Sequence, residues 1–421
     1  MKICQDIKRI MATGNGETEC LIFSSDYDCA AKHLNGYNVS IIAGYPFISA
    51  HAAYVHIHDI KEIAGLASVR AITSQSKVYT LEKNFCQSVV ARSKATTQSQ
   101  GQNTLHRIAS SAEHPSNDDV SYDIPIEQIE DTIDCREEHL YSGVCEAHTA
   151  GNFGDGVTIA VIDTGIIPHL DFVMPTDRIA AFVDFVDGVD FAIDNFGHGT
   201  AVASIASGNG LVSGRKFVGV APKSRVIALR AIGDKGEGGA FKILEAMQWI
   251  IDHKETYNIR IVCMSFGAKP QEIDPLVIGA EALWDAGITV VASSGNTGPK
   301  SGTVMSPACS RKIISVGGVG RTDFGFYVPA FSSRGVVGVD GTTKPDIAAP
   351  AVEVMSCSIG ENFYAPHSGT SMAAPYVAGI CALLLEQEPR FTPDKLKEIL
   401  MENAQRLPFE PSACGKGLVQ V

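Results

Sequence analysis

The stretch VTIAVIDTG, residues 157–165, runs apolar almost without a break and then stops at an aspartate, a threonine and a glycine. A strand with one wet face alternates in polarity. A run rich in Val and Ile without alternation suits a parallel strand covered on both faces. Four more such runs follow: RVIALRAI (225–232), IRIVCMSF (259–266), ITVVASS (288–294) and IISVGGV (313–319). Between and around them lie GTAVASIAS, FKILEAMQWIIDHKE and VIGAEALWDAG, with the length and spacing of helices. Strand and helix alternate from about residue 137 to the end. The fold class is therefore α/β, a doubly wound and mostly parallel sheet. Ligands of such sheets sit beyond the carboxyl ends of the strands, so chemistry belongs in the residues just after each run.

Five polar features fall there. Asp163 ends the first run, Ser265-Phe266-Gly267 follow IRIVCM, and Asn296 follows ITVVASSG. His198 stands between two glycines in NFGHGTAVASIAS. Ser371 lies in HSGTSMAAP (367–375), ahead of the apolar run YVAGICALLL. That run is too short to cross a membrane and reads as a buried helix. Pro375 is expected in the helix's first turn, where its missing N–H costs nothing. Each residue alone has an ordinary reading: a serine N-cap, a turn aspartate, an S-G-N turn. Together they supply what acyl transfer requires. Serine is a weak nucleophile and needs a base. Histidine titrates near neutral pH, a carboxylate fixes its tautomer, and an amide donor can meet an oxyanion. Their chain order is Asp163, His198, Ser371.

The blocks IAVIDTGIIPHLD, NFGHGTAVASIASG, GVAPKSRVIALRAI, ASSGNTGP, FSSRG, KPDIAAPAVEVMS and SGTSMAAPYVAG resemble, in order, the signature blocks of subtilisin-like serine proteases. The likeness covers roughly residues 137–405, and is greatest to bacterial subtilases that lack a secretion signal. It implies a subtilisin-like fold and serine endopeptidase activity. Ser371 would be the nucleophile, His198 the general base and acid, and Asp163 the group that orients His198. Asn296 and the backbone N–H of Ser371 would form the oxyanion hole. Ser265-Phe266-Gly267 would make one wall for an extended peptide or protein substrate. Lys235-Gly236-Glu237-Gly238 would make the other, and Ser293-Ser294-Gly295 would line the primary pocket. Residues Gly208–Gly219 lack the asparagine-rich calcium loop of secreted subtilisins. Calcium binding in part by Asp171 is conceivable, but no metal or other cofactor is expected. His367 could touch the cleft or pack. Glu237, Asp184, Asp187 and Asp190 could make one side of the cleft acidic, although surface solvation is the simpler reading.

The first 81 residues resemble, more weakly, the inhibitory prodomain of many subtilases. ECLIF, DYDCAAKHL, YNVSIIAGY, HAAYVHI, DIKEIAGL and SVRAI give the order β-α-β-β-α-β of a small ferredoxin-like α+β unit. Asp59 and Glu62 have capping-box spacing. About 60 residues bury a thin core, so the unit should lean on another surface. Its last strand would enter the cleft, with self-cleavage within Lys77–Lys83. Residues 82–118, containing SKATTQSQGQNT, read as a polar linker open to nicking. An acidic segment with Ile126, Ile129 and Ile133 at helical spacing follows. The catalytic domain is expected over 119–421.

Composition bounds the alternatives. The chain has 421 residues, 45% hydrophobic and 19% charged, with a net charge of −13. It has no basic stripe for nucleic acid. MKICQDIKRIMATGNGETEC lacks the apolar core of a signal peptide, and no stretch suits a membrane span. Eleven scattered cysteines without C-x-x-C suit reduced thiols and a cytoplasmic location. A pseudoprotease used for binding or signalling is the chief alternative. An acyl transferase would need a device to exclude water, and no large insertion provides one. An aspartic protease would need a second D-T-G or D-S-G. A nucleotide-binding protein would need a phosphate loop.

Overall fold

The computed structural model describes residues 2–14, 16–81, 136–338, 341–360 and 362–421. The linker and the acidic segment read from the sequence lie outside the described residues.

The N-terminal module begins with α1 (Gln5–Thr13), which the strand-first reading from Glu19 did not anticipate. Then follow β1 (Glu17–Ser24), α2 (Tyr27–Leu34), β2 (Val39–Tyr45), β3 (Ala50–His56), α3 (Ile60–Gly65) and β4 (Val69–Ser74). The strands form an antiparallel sheet in the order β2-β3-β1-β4, the arrangement expected of a ferredoxin-like unit. Asp26 caps α2, accepting from the N–H of Cys29 at 2.9 Å. Asp59 does not cap α3. Its backbone is already helical and its side chain makes no cap bond, so the capping-box spacing misleads there.

Both faces of β1 are covered. Cys20 and Ile22 pack with Ile7, Leu34, Ile60 and Ile63 inside the module. Leu21 and Phe23, pointing the other way, join the large core of the following domain. A thin module thereby gains its second layer.

The following domain opens with α4 (Glu137–Leu140) and α5 (Val144–Thr149), which precede β6 (Thr158–Asp163), α6 (Leu170–Val173) and β7 (Ile179–Asp184). Next come α7 (His198–Ser207), β8 (Arg225–Arg230), β9 (Glu237–Gly239) and α8 (Ala240–Tyr257). These lead into β10 (Ile259–Met264), β11 (Phe266–Ala268), α9 (Pro275–Asp285) and β12 (Thr289–Ser293). After β13 (Ile314–Thr322) and β14 (Gly325–Tyr327), a short pair, β15 (Gly335–Val336) and β16 (Thr343–Lys344), precedes β17 (Ile347–Pro350). The hairpin β18 (Val354–Cys357) and β19 (Tyr364–His367) leads into α10 (Thr370–Gln387), α11 (Pro393–Asn403) and α12 (Pro411–Cys414).

The main sheet runs β14-β13-β12-β10-β6-β8-β7, with β17 beside β13. All its pairings are parallel except β13 with β14. The carboxyl ends of β6, β10 and β12 therefore emerge on one edge, carrying Asp163, Ser265 and the approach to Asn296. Thr370 to Leu385 of α10 are buried, as an all-apolar helix must be. Pro375 is the sixth residue of that helix, beyond the first turn where the sequence put it. No described helix is long and apolar enough to cross a membrane. Cys145 is disulfide-bonded, a departure from the expectation of thiols alone, whereas eight other cysteines among the described residues are free.

Candidate active site

Four segments converge at the sheet edge. Asp163 ends β6 and is fully buried. Its Oδ1 accepts the N–H of Thr164 at 2.8 Å and lies 2.6 Å from Nδ1 of His198, the first residue of α7. Gly197 precedes that helix at φ 89°, a conformation that favours glycine. Gly199 is equally constrained, because a Cβ there would stand 2.2 Å from the carbonyl oxygen of Gly165.

Asp194 builds the turn that presents His198. Its carboxylate accepts N–H groups from Gly197 at 2.7 Å and Thr200 at 2.9 Å, and hydroxyls from Thr164 and Thr200 at 2.8 Å each. Burial raises its pKa, and these hydrogen bonds oppose the rise. The sequence reading passed over Asp194. Its position four residues before a helical histidine was the available sign.

Ser371 lies in the first turn of α10. Because Pro375 has no N–H, the carbonyl of Ser371 loses its helical partner. The hydroxyl of Ser265 replaces it, donating to that carbonyl at 2.9 Å. The Ser371 hydroxyl lies 3.0 Å from the Ser265 carbonyl oxygen. Two segments distant in sequence are thus joined at the serine itself.

A strand occupies the cleft. β5 (Lys77–Thr80) sits between β9 and β11, antiparallel to both. Tyr79 pairs with Glu237 on one side and Gly267 on the other. The Thr80 N–H donates to the Gly236 carbonyl at 3.0 Å. A Cβ at Gly236 would stand 2.7 Å from the Thr80 hydroxyl and 2.8 Å from the Phe196 ring. Gly238 faces Val78, which is fully buried. The sequence-selected walls, Gly236, Gly238, Phe266 and Gly267, are therefore beside an extended segment of the chain's own N-terminal module.

Leu81 follows directly. Its carbonyl oxygen lies 2.6 Å from Oγ of Ser371 and accepts from Nδ2 of Asn296 at 2.5 Å. The Leu81 side chain is buried. A Cβ at Gly267 would come within 3.0 Å of Leu81 Cδ1 and of the Met305 side chain. Gly295, at φ 114°, also faces Met305, whose Cγ would lie 2.7 Å from a Cβ there. The hydroxyls of Ser293 and Ser294 turn to backbone carbonyls, of Met264 and Phe266 for Ser293 and of Ser333 for Ser294. Beside Leu81 at Gly267 the neighbouring side chain is therefore that of Met305. Met305 was not anticipated, since an apolar residue in a loop carries no polar signal.

The cleft's acidic appearance in the sequence has another explanation. Arg230, 2% exposed, donates to both oxygens of Asp184, to Asp187 and to Asp234, all within 2.9 Å. Two of the acids read as cleft charge are thereby tied to a buried guanidinium. His367 is buried at the end of β19, opposite Val354.

Asp171 has unsuitable neighbours for calcium. Its oxygens accept N–H groups of Gly210 and Val212 at 3.1 Å each and the Tyr364 hydroxyl at 2.6 Å. The adjacent donors are the thiol of Cys357 and the ring of His169. Calcium takes six to eight oxygens, so this set does not fit it.

Comparison with known proteins identifies the family. The subtilase family's sequence profile matches residues 154–417. Serine protease AprX of Bacillus subtilis is 37% identical over 292 residues, covering 63% of this chain and 65% of that protein. The match thus spans just under two thirds of AprX. Thermostable alkaline protease of Halalkalibacterium halodurans is 33% identical over 279 residues, 65% of this chain and 69% of that protein. Subtilisin Savinase of Lederbergia lenta is 33% identical over 274 residues, 65% of this chain and 92% of that protein. With the family profile spanning more than half of its length, this chain belongs to the subtilase family.

Proposed function

We propose that this chain is a serine endopeptidase made as a self-processing zymogen, and that its first substrate is its own Leu81–Glu82 bond. One observation carries the reading: the Leu81 carbonyl oxygen is shared between Ser371 and Asn296 at the end of a strand paired on both sides. Main-chain pairing of this kind holds an extended peptide while pockets read its side chains.

In this reading Oγ of Ser371 attacks the Leu81 carbonyl carbon as His198 takes its proton. Asp163, on the other ring nitrogen, holds the imidazole tautomer and stabilises the imidazolium. Negative charge gathers on the Leu81 oxygen, where the Asn296 amide and the Ser371 N–H meet it. His198 then gives the proton to the departing nitrogen of residue 82, leaving residues 1–81 as an ester on Ser371. Water, activated by His198, releases the acid. Peptide and protein substrates would later take the place of β5, and residues 1–81 would act as prodomain and intramolecular inhibitor. Asp163 faces His198 and not a second aspartate, which argues against the aspartic protease alternative.

Time-resolved intact mass of purified wild type beside Ser371→Ala tests the proposal. Wild type should release a fragment ending at Leu81, while the variant stays whole. If both stay whole, self-processing is rejected. Labelling of Ser371 by a fluorophosphonate then separates an enzyme from a pseudoprotease.

A further inference from the structure

Apart from the residues that meet Leu81, three donors of different chemistry meet in one buried cluster. His169 and Asp171 flank the start of α6, and Cys357 ends β18. All three are buried, Asp171 and Cys357 completely. Cys357 Sγ lies 3.4 Å from Nδ1 of His169 and 3.5 Å from Oδ2 of Asp171. Nδ1 of His169 and Oδ1 of Asp171 are 3.7 Å apart. The Asp171 N–H donates to Nδ1 at 3.2 Å, so that nitrogen is unprotonated, and a metal would take its lone pair in place of this long hydrogen bond. Tyr364 OH is 2.6 Å from Oδ2 of Asp171.

From these distances we infer a binding site for a borderline-soft divalent cation of the zinc class, held by His169, Asp171 and Cys357. Zinc bonds nitrogen and oxygen at about 2.0–2.2 Å and sulfur at about 2.3 Å, which separates tetrahedral donors by roughly 3.3–3.6 Å. Sγ and Nδ1 already stand at that separation, and one atom of each of the three side chains lies within 4.8 Å of the others, so a small turn of the Asp171 carboxylate would complete the set. A mixed N, O and S set selects zinc over calcium or magnesium. On binding, the Cys357 thiol gives its proton to solvent and its sulfur lone pair to the metal, with no change of oxidation state. The Tyr364 hydroxyl, bonded to the ligating carboxylate, orients it from outside. The site would connect the segment after Asp163, the helix of His198 and the hairpin before Ser371. The N–H of Cys357 already donates to Ser204 of α7 at 2.8 Å.

The test uses full-length Ser371→Ala protein, which cannot digest itself. One equivalent of zinc should remain after gel filtration. Its X-ray absorption should show one sulfur at about 2.3 Å with nitrogen and oxygen at about 2.0–2.2 Å. Cobalt in its place should give a thiolate charge-transfer band, which the sulfur-free pair His198 and Asp163 cannot produce. Adding Cys357→Ser should remove the sulfur and weaken binding more than tenfold. Adding Tyr364→Phe should weaken it about 10–100-fold, as expected for an outer partner. Zinc should raise the melting temperature where calcium does not. A shell of nitrogen and oxygen alone, loss of zinc on filtration, or unchanged affinity in Cys357→Ser would each overturn the inference. Absorption of the unsubstituted site decides even if Cys357→Ser does not fold.

Discussion

Thr370 holds the Asn296 amide by its far end. The N–H and the hydroxyl of Thr370 both meet Oδ1 of Asn296 at 3.0 Å, which aims Nδ2 at the Leu81 carbonyl oxygen. The same hydroxyl accepts the N–H of Gly295 at 3.2 Å. Removing Nδ2 by Asn296→Ala should lower turnover by about 10²–10³, a magnitude taken from subtilisin itself. Thr370→Val should lower kcat by about tenfold, the equivalent of one weak hydrogen bond in the transition state. KM should hardly change, and Thr370→Ser should restore the loss. Steady-state kinetics on a peptide substrate decides. A rise in KM alone would mean that Thr370 only shapes the cleft.

The pocket filled by Leu81 should set side-chain preference. Met305, Gly267 and Gly295 offer it no charge. Peptides cut after Leu, Met or Phe should be preferred over those cut after Lys or Asp. Leu81→Asp should stall self-processing, because a carboxylate would be buried without a partner. Profiling with a peptide library, and intact mass of Leu81→Asp, provide the check. Equal cleavage after Lys would show that the pocket opens once β5 departs.

Arg230 should matter more to folding than to chemistry. Arg230→Met leaves Asp184, Asp187 and Asp234 facing an apolar chain, and Asp184 has no solvent route for its side chain. Breaking a buried pair from one side costs about 3–5 kcal/mol. Urea unfolding in the Ser371→Ala background should show a loss in that range. A loss below about 1 kcal/mol would place the network among weak surface pairs.

Acid should loosen the segment next to α4 and α5. Burial pushes His139 well below its ordinary value of 6.5, helped by Arg136 and His148. Burial also lowers His148, against the opposing bond to the Val220 carbonyl. Below pH 6.5 the unfolded chain takes up protons that the folded one refuses. Stability is therefore complete above that pH and is lost as pH falls, by up to about 1.4 kcal/mol per pH unit for each histidine. Urea midpoints at pH 7 and pH 5 should differ accordingly, and His139→Phe should reduce the difference. An unchanged difference would assign acid sensitivity elsewhere.

Much of this architecture was legible because it is periodic. Unbroken Val and Ile runs mark parallel strands buried on two faces, and Asp163, Asn296 and Ser265 could be placed at their ends without coordinates. Ser371 and His198 stood out through their glycine and alanine neighbours. What escaped depends on tertiary partners. Met305 becomes significant only where Gly267 and Gly295 bring it to Leu81. Thr370 was hidden beside a more conspicuous serine. The misplacement of Pro375 has a physical reason, since its cost to the helix is met by a hydroxyl more than a hundred residues away. Asp184 looked exposed because its partner, Arg230, is distant in sequence.

The position of β5 between β9 and β11 also fixes how inhibition would respond to dilution. While the chain is whole, the blocking strand is tethered, at an effective concentration set by the length of the connecting segment and independent of how much protein is present. After the Leu81–Glu82 bond is cut, the same strand is a separate solute. Its occupancy of the cleft then depends on how much enzyme is present. Crowded molecules would silence one another with their own released modules, and spreading them apart would set them free.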